Sequence, residues 1–323
     1  MAVLAVFATF LFSLLLTPVA KRVAWRIGAI DCPLDWRRMH KKSTPRDGGI
    51  AFFTAILVGV CLLFRFDAIV IAALGGGLIV FFLGLIDDIR HLSAGVKLSV
   101  QVFAATIALL LFGEIEGVAL FGALLWILAL TNAHNFVDGL DGLLGGTSVI
   151  EGIGLSLLLF FTGWNYYQIP LLIAAACLGF LWYNRPPAQI FAGDCGSQSV
   201  GFLFAVLSLP LLRTPQWLFG GLAPLFIFAY PLTDLFAAVL RRFLRRKNPF
   251  SADRAHLHHR LAATGLSHKG CTGILFLLSA SLCALGVALG REDGIYAALL
   301  VIPIALLFLF GIRRFLIHFA KSG

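Results

Sequence analysis

Five aspartates stand at polar edges of a very apolar chain: the Asp87-Asp88 pair, Asp138 and Asp141, and Asp194. A charge at or near hydrocarbon costs about 2.5–3.5 kcal/mol on insertion scales, so carboxylates there mark function by default. Adjacent carboxylates raise each other's pKa unless a cation sits between them. A divalent metal would relieve the Asp87-Asp88 repulsion, and so would Lys97, which could also meet a phosphate as a point charge. Asp194 lies between Gly193 and the Gly196-Ser197 turn. Hard cations such as Mg²⁺ take one or two carboxylates and leave room for phosphate oxygens. Together these edges indicate a metal-dependent site at a membrane surface. For the Asp87-Asp88 pair alone, a solvated loop is an equal reading.

Three further motifs carry candidate chemistry. Asn132, Asn135, Asp138 and Asp141 recur every three residues, which on a helix puts four polar side chains near one face. Gly139 and Gly142 allow a ligand to approach the backbone; a capped loop with an Asx turn is the competing reading. In Asn184-Arg-Pro-Pro-Ala-Gln-Ile-Phe191, Phe191 is an aromatic at a polar turn, placed to stack a base or to anchor in lipid. In Asn248-Pro-Phe-Ser-Ala-Asp-Arg254-Ala-His256-Leu-His258-His259-Arg260, three histidines cluster between two arginines. Zinc would need a fourth ligand, and no Cys or Glu stands nearby. A cationic, hydrogen-bonding cradle for a sugar diphosphate fits better. His91, His134, His268 and His318 read as loop or interface histidines. No Walker A or GxGxxG phosphate loop is present.

The elements that must position these groups are membrane helices. The 323 residues are 60% hydrophobic and 13% charged, with a mean hydropathy of +0.95. That composition belongs to a polytopic, all-α membrane protein rather than a soluble α/β enzyme. Thirty Phe and 33 Gly suit lipid-facing, closely packed helices. The net charge of +9 fits basic loops facing anionic lipid and an anionic substrate, not nucleic acid. Six cysteines show no CxxC spacing and imply no disulfide framework. Apolar runs near 1–20, 48–64, 68–86, 98–112, 118–131, 143–162, 169–183, 198–212, 216–240, 272–290 and 295–311 predict eleven spans. The first run precedes Lys21-Arg22, the reverse of a cleavable signal peptide, so it reads as a retained helix. The chain then forms one domain, 1–323, with polar loops at 21–47, 87–97, 132–142, 184–197 and 241–271. Those loops and the tail hold 22 of the 25 Lys and Arg; only Arg65, Arg213 and Arg291 fall opposite. The positive-inside rule puts the N-terminus outside and the C-terminus in the cytoplasm. The same orientation, set by basic residues alone, gathers the five aspartates and the histidine cluster on the cytoplasmic side.

At these four motifs the chain closely resembles the polyprenyl-phosphate N-acetylhexosamine-1-phosphate transferases of the WecA/TagO type, over residues 40–270 and, by helix layout, nearly the whole chain. The related phospho-MurNAc-pentapeptide transferases share the Asp motifs, but their histidine motif differs from the run here. The resemblance implies an enzyme of the bacterial cytoplasmic (inner) membrane. It would transfer N-acetylhexosamine-1-phosphate, GlcNAc-1-phosphate first among the choices, from a UDP-sugar to undecaprenyl phosphate. It implies Asp194 as ligand to Mg²⁺, with Mn²⁺ as alternative. It implies Asp87, Asp88, Lys97, Asp138 and His258 as catalytic groups. Asn135, Asp138, Asp141, Asn184 and Phe191 would line the nucleotide pocket, and Lys42, Arg254, His256 and His259 would meet substrate. The implied partners are the UDP-N-acetylhexosamine, undecaprenyl phosphate and membrane lipid, with a homodimer left open. Gln198 and Asp47 stand where the family usually has apolar residues, and Gly95 where Pro is common; these bear on the shape of the pocket. The rival from another class is a secondary transporter with Asp ion sites. Transporters place such residues near the bilayer midplane, whereas here they gather at one face.

Overall fold

The protein is described by a computed structural model covering residues 2–31, 43–63, 66–113, 115–213, 220–245, 257–291 and 299. The apolar runs fold as helices because a backbone in lipid must satisfy its hydrogen bonds within each segment. The helices are α1 Ala2–Ile27, α2 Gly49–Leu63, α3 Ala68–Arg90, α4 Ala94–Phe112, α5 Val118–Val137, α6 Leu143–Phe161, α7 Gln168–Asn184 and α8 Gly193–Ser208. They continue with α9 Ala223–Ile227, α10 Ala229–Leu244, α11 Leu257–Ala262 and α12 His268–Leu289. Seven among the described residues are long and apolar enough to cross a bilayer, while α2 and α7 are shorter apolar helices. Apart from Leu299, the expected run at 295–311 lies outside the described residues.

Local signals set the boundaries. Asp67, Ser93 and Ser267 cap α3, α4 and α12 by accepting the N–H of Val70, Val96 and Gly270. The expected loops prove shorter than their polar stretches. Helix α3 runs through Asp87 and Asp88 to Arg90, and α5 runs on to Val137. The apolar pattern stops where polar residues begin, but backbone hydrogen bonding carries the helix onward. The four-polar-residue face therefore does not exist as one helical stripe: Asp138 caps the end of α5 and Asp141 lies in the turn beyond. The expected span at 216–240 is also broken. A 3₁₀ turn at Gly220–Leu222 and α9 precede α10, with the break at Phe228. Pro231 lacks the N–H that would bond the Ile227 carbonyl in a continuous helix.

Helix α8 is the axis of the bundle. Every residue from Gly193 to Ser208 is buried except Asp194. Helices α3 and α5 pack along it most extensively. Gly84 on α3 has no space for a Cβ beside the Asp194-Cys195 backbone, and this close approach is how membrane helices gain packing contacts. The α7–α8 loop is laced to the start of α2: Gly48 N–H donates to Phe191 O at 2.8 Å and Gly49 N–H to Ala192 O at 2.9 Å. A two-residue antiparallel pair, β1 Ile30–Asp31 with β2 Thr44–Pro45, ties that segment to the end of α1. Successive helices run up and down, so the ends carrying residues 44–49, 87–97, 135–142 and 184–197 meet at one end of the bundle. The Asp67, Phe112, Trp164 and Pro210 region forms a cavity at the other.

Candidate active site

The site is built at the shared end from the last turn of α3, the first turns of α4 and α8, the end of α5 and the β2–α2 turn. Lys97 bridges two carboxylates, its Nζ 2.6 Å from Asp87 Oδ2 and 3.2 Å from Asp194 Oδ2. Asp87 also accepts the Leu92 N–H at 2.6 Å, closing the turn between α3 and α4. Asp88 points to the other side, where its Oδ2 accepts the Cys195 N–H at 3.2 Å and its Oδ1 lies 3.6 Å from Arg46 Nε. Asp47 joins this group. Its backbone takes φ +70°, and its buried carboxylate accepts the Cys195 thiol at 3.4 Å. Gly193, at φ +74°, lets α8 begin directly against Asp47 and Asp88, where a Cβ would collide with both.

Electrostatics follow from this crowding. Five carboxylates, those of Asp47, Asp87, Asp88, Asp138 and Asp194, face two described cations, Arg46 and Lys97. Burial pushes the Asp138 carboxyl up to about 7; Arg46 pulls it back, while Asp194 pushes it further up. Burial also raises Asp47, against hydrogen bonds from Asp88 and Cys195 and the charge of Arg46. Burial would lower the Arg46 guanidinium, but the fields of Asp88, Asp194 and Asp138 outweigh it and raise its pKa. The arrangement fits a hard divalent cation. Buried Asp47 Oδ2 and Asp88 Oδ1 accept no hydrogen bond, and ligand atoms of these two carboxylates lie within 4.8 Å of each other; the adjacent Cys195 thiol, a soft ligand, donates to Asp47 instead. The excess negative charge needs a counter-charge, and carboxylate oxygens are the ligands such a cation takes.

The remaining sequence-derived candidates divide into three groups. Asn135 belongs to the site, its Oδ1 accepting the Ser197 hydroxyl at 2.7 Å. Asn184 and Asp141 hold the surrounding loops. The buried Asn184 accepts the Gly142 N–H at 3.0 Å and donates to Ile190 O at 2.9 Å, so its amide stitches the α5–α6 turn to the α7–α8 loop. Asp141 Oδ2 accepts the Ala188 N–H at 2.9 Å. Phe191 is half-buried, and its backbone pairs with Pro45 and Gly48. Lys42, Arg254 and His256 lie outside the described residues. His258 and His259 sit on α11, but their side chains lie outside the description. Helix α11 is docked by Asp234, whose Oδ1 accepts the Leu257 N–H at 2.9 Å.

Sequence reasoning missed several contributors. In the sequence Arg46 is one basic loop residue among many, and Asp47 bears only on the shape of the pocket. Cys195 supplies both a backbone N–H and a thiol to the carboxylates. His134, read from the sequence as a loop or interface histidine, lies on α5 where it meets α6. It is buried, with Nε2 2.9 Å from Glu151 Oε2 and Nδ1 2.9 Å from Leu130 O. No local signal pairs residues so far apart in sequence on different helices.

Residues 70–211, which include Asp87, Asp88, Lys97, Asn135, Asp138, Asp141, Asn184, Phe191 and Asp194, match the family described as glycosyl transferase family 4. A Bacillus subtilis (strain 168) protein named as a probable undecaprenyl-phosphate N-acetylglucosaminyl 1-phosphate transferase is 35% identical over 326 residues, 95% of this chain and 90% of its own. The chain belongs to glycosyl transferase family 4. The decaprenyl-phosphate N-acetylglucosaminephosphotransferase of Mycobacterium tuberculosis (strain ATCC 25618 / H37Rv) is 33% identical, over 81% of this chain and 76% of its own. The undecaprenyl-phosphate alpha-N-acetylglucosaminyl 1-phosphate transferase of Escherichia coli (strain K12) is 30% identical, over 86% and 81%. Membership in this family makes the protein a transferase, and its apolar helices make it a multi-pass membrane protein.

Proposed function

We propose that the protein transfers N-acetylhexosamine-1-phosphate, GlcNAc-1-phosphate in the first instance, from a UDP-sugar to undecaprenyl phosphate. The products are undecaprenyl-diphospho-sugar and UMP. The observation that carries the reading is the convergence of Asp87, Asp88, Asp138 and Asp194 with Arg46 and Lys97 at one end of a membrane bundle. A phosphoryl transfer between two anionic substrates needs little covalent help from protein, but it needs positioning and charge neutralisation. A lipid phosphate oxygen attacks the β-phosphorus of the sugar nucleotide, the bond to the UMP oxygen breaks, and UMP leaves with the electron pair. A bound Mg²⁺, held by Asp194 with the carboxylates of Asp88 and Asp47 close by, would supply charge neutralisation at the diphosphate. Lys97 keeps Asp87 and Asp194 side by side. Arg46 presents a second fixed cation to the same space. Asp87 or Asp88 takes any proton remaining on the lipid phosphate, a modest contribution at neutral pH because a phosphate's second pKa is near 6.

We place this site at the cytoplasmic face of the bacterial inner membrane, as the bias of Lys and Arg supports. A transporter reading gains no support from carboxylates grouped at one end of the bundle. The test is UMP release by purified protein given undecaprenyl phosphate, Mg²⁺ and a panel of UDP-sugars. Release with a UDP-N-acetylhexosamine, abolished by omitting the lipid phosphate, is expected. Release from none of the panel overturns the reading.

A further inference from the structure

A line of three amides runs through the bundle and ends on Asp194. Asn132 Nδ2 donates to Gln101 Oε1 at 2.8 Å, Gln101 Nε2 donates to Gln198 Oε1 at 2.9 Å, and Gln198 Nε2 donates to Asp194 Oδ2 at 2.9 Å. The three links come from α5, α4 and α8. Gln101 and Gln198 are 2% and 1% exposed, so water does not complete their bonding.

The direction of the line is set at both ends. Asn132 Nδ2 also donates to the Leu128 carbonyl at 2.8 Å, so its nitrogen cannot exchange places with its oxygen. At the other end a carboxylate accepts. Reversing any one amide would set oxygen against oxygen or nitrogen against nitrogen. Gln101 and Gln198 are buried among apolar helices and Asn132 is half-buried; amides so placed cost free energy unless they are hydrogen-bonded, and here each is linked to the next. Packing alone does not require them, since an apolar side chain of similar length would fill the same space without that cost. Their common end is the carboxylate read above as the metal ligand, where Gln198 and Lys97 donate to the same oxygen.

We propose that Asn132, Gln101 and Gln198 form a directional amide relay that holds Asp194 in its metal-binding orientation, with Gln101 and Gln198 as positioning residues. The proposal rests on the transferase reading only for the identity of the reaction that Asp194 serves. Groups that orient a metal ligand typically change metal affinity by 10–100-fold when removed. Gln101 makes the sharper variant because it touches neither Asp194 nor Lys97 in any hydrogen bond; its effect must pass through Gln198.

The experiment uses full-length protein in detergent and titrates Mg²⁺ calorimetrically without substrates, alongside thermal melting and UMP release at saturating Mg²⁺. Gln101→Leu, with Gln101→Met as an unbranched second choice, is expected to melt within a few degrees of wild type. It should bind Mg²⁺ on the order of tenfold more weakly. Gln101→Leu/Asn132→Leu should be no weaker than Gln101→Leu, because links in series do not add. Gln198→Leu should be at least as weak as either. Mg²⁺ affinity within twofold of wild type in both single glutamine variants overturns the relay, whatever the turnover. A wild-type protein that binds Mg²⁺ but releases no UMP removes the transferase reading and leaves the relay judged by binding. A wild-type protein that binds no Mg²⁺ overturns the relay.

Discussion

Asp194 is the one residue of α8 that is not buried, and Lys97 and Gln198 both donate to the same oxygen of its carboxylate; the proposed metal role makes it the first residue to test. Replacing it by Asn keeps the size but removes the charge that binds a cation. Asp194→Asn should lose nearly all UMP release while inserting and melting normally, and chelating Mg²⁺ should do the same to wild type; near-normal turnover in either case refutes the metal assignment. The other carboxylates separate by what they touch. Asp88 faces Arg46, the Cys195 N–H and the buried Asp47 cluster, whereas Asp141 fixes the loop at Ala188. A group acting in the transition state lowers kcat, and one that shapes binding raises KM. Asp88→Asn should therefore mainly lower kcat, by two or more orders of magnitude, with UMP binding retained in calorimetry. Asp141→Asn should mainly raise KM for the UDP-sugar. The reverse pattern would relocate the two substrates.

Single helices explain why those residues stay where they are. Helices α5 and α6 are pinned by His134 and Glu151, both essentially buried and 2.9 Å apart, with the Phe204 and Phe228 rings against the imidazole. Removing one member of such a buried hydrogen-bonded pair leaves its partner unsatisfied, which costs about 1–3 kcal/mol. His134→Ala should lower the melting temperature markedly and reduce yield from the membrane. His134→Ala/Glu151→Leu should recover most of the loss, since no unpaired carboxyl remains. A double variant as unstable as the single would show that shape, not the pairing, is what α5 and α6 need. Much of this scale is legible in a linear sequence. Nine of the eleven apolar runs each fall on one helix among the described residues, seven of those helices being long and apolar enough to cross a bilayer, while the 216–240 run is split at Phe228. The helix ends are not legible, because Asp87, Asp88 and Asn135 look like loop residues yet lie on continued helices.

At the scale of the whole molecule, the alternation of helices gathers the acidic ends at one side of the bundle and the Asp67–Trp164 region at the other. If the basic residues orient the protein as expected, cysteines introduced at Glu116 or Asn165 in a background lacking Cys61 should react with an impermeant label in intact cells, and a cysteine at Arg90 should react only after lysis. Labelling at Arg90 from outside would place the site on the wrong face. The membrane class, the helical architecture and the choice of Asp87, Asp88, Asp138 and Asp194 as candidates follow from the sequence alone, because hydropathy and misplaced charge are one-dimensional signals with a large energetic cost behind them. Tertiary structure alone decided that Asp47 and Cys195 complete the carboxylate cluster, that Asn184 clamps loops from within, that His134 pairs with Glu151, and that Asn132, Gln101 and Gln198 line up on Asp194. Each of these depends on side chains far apart in the chain meeting within hydrogen-bonding distance, and that meeting is set by how helices pack around α8, not by any pattern along one of them.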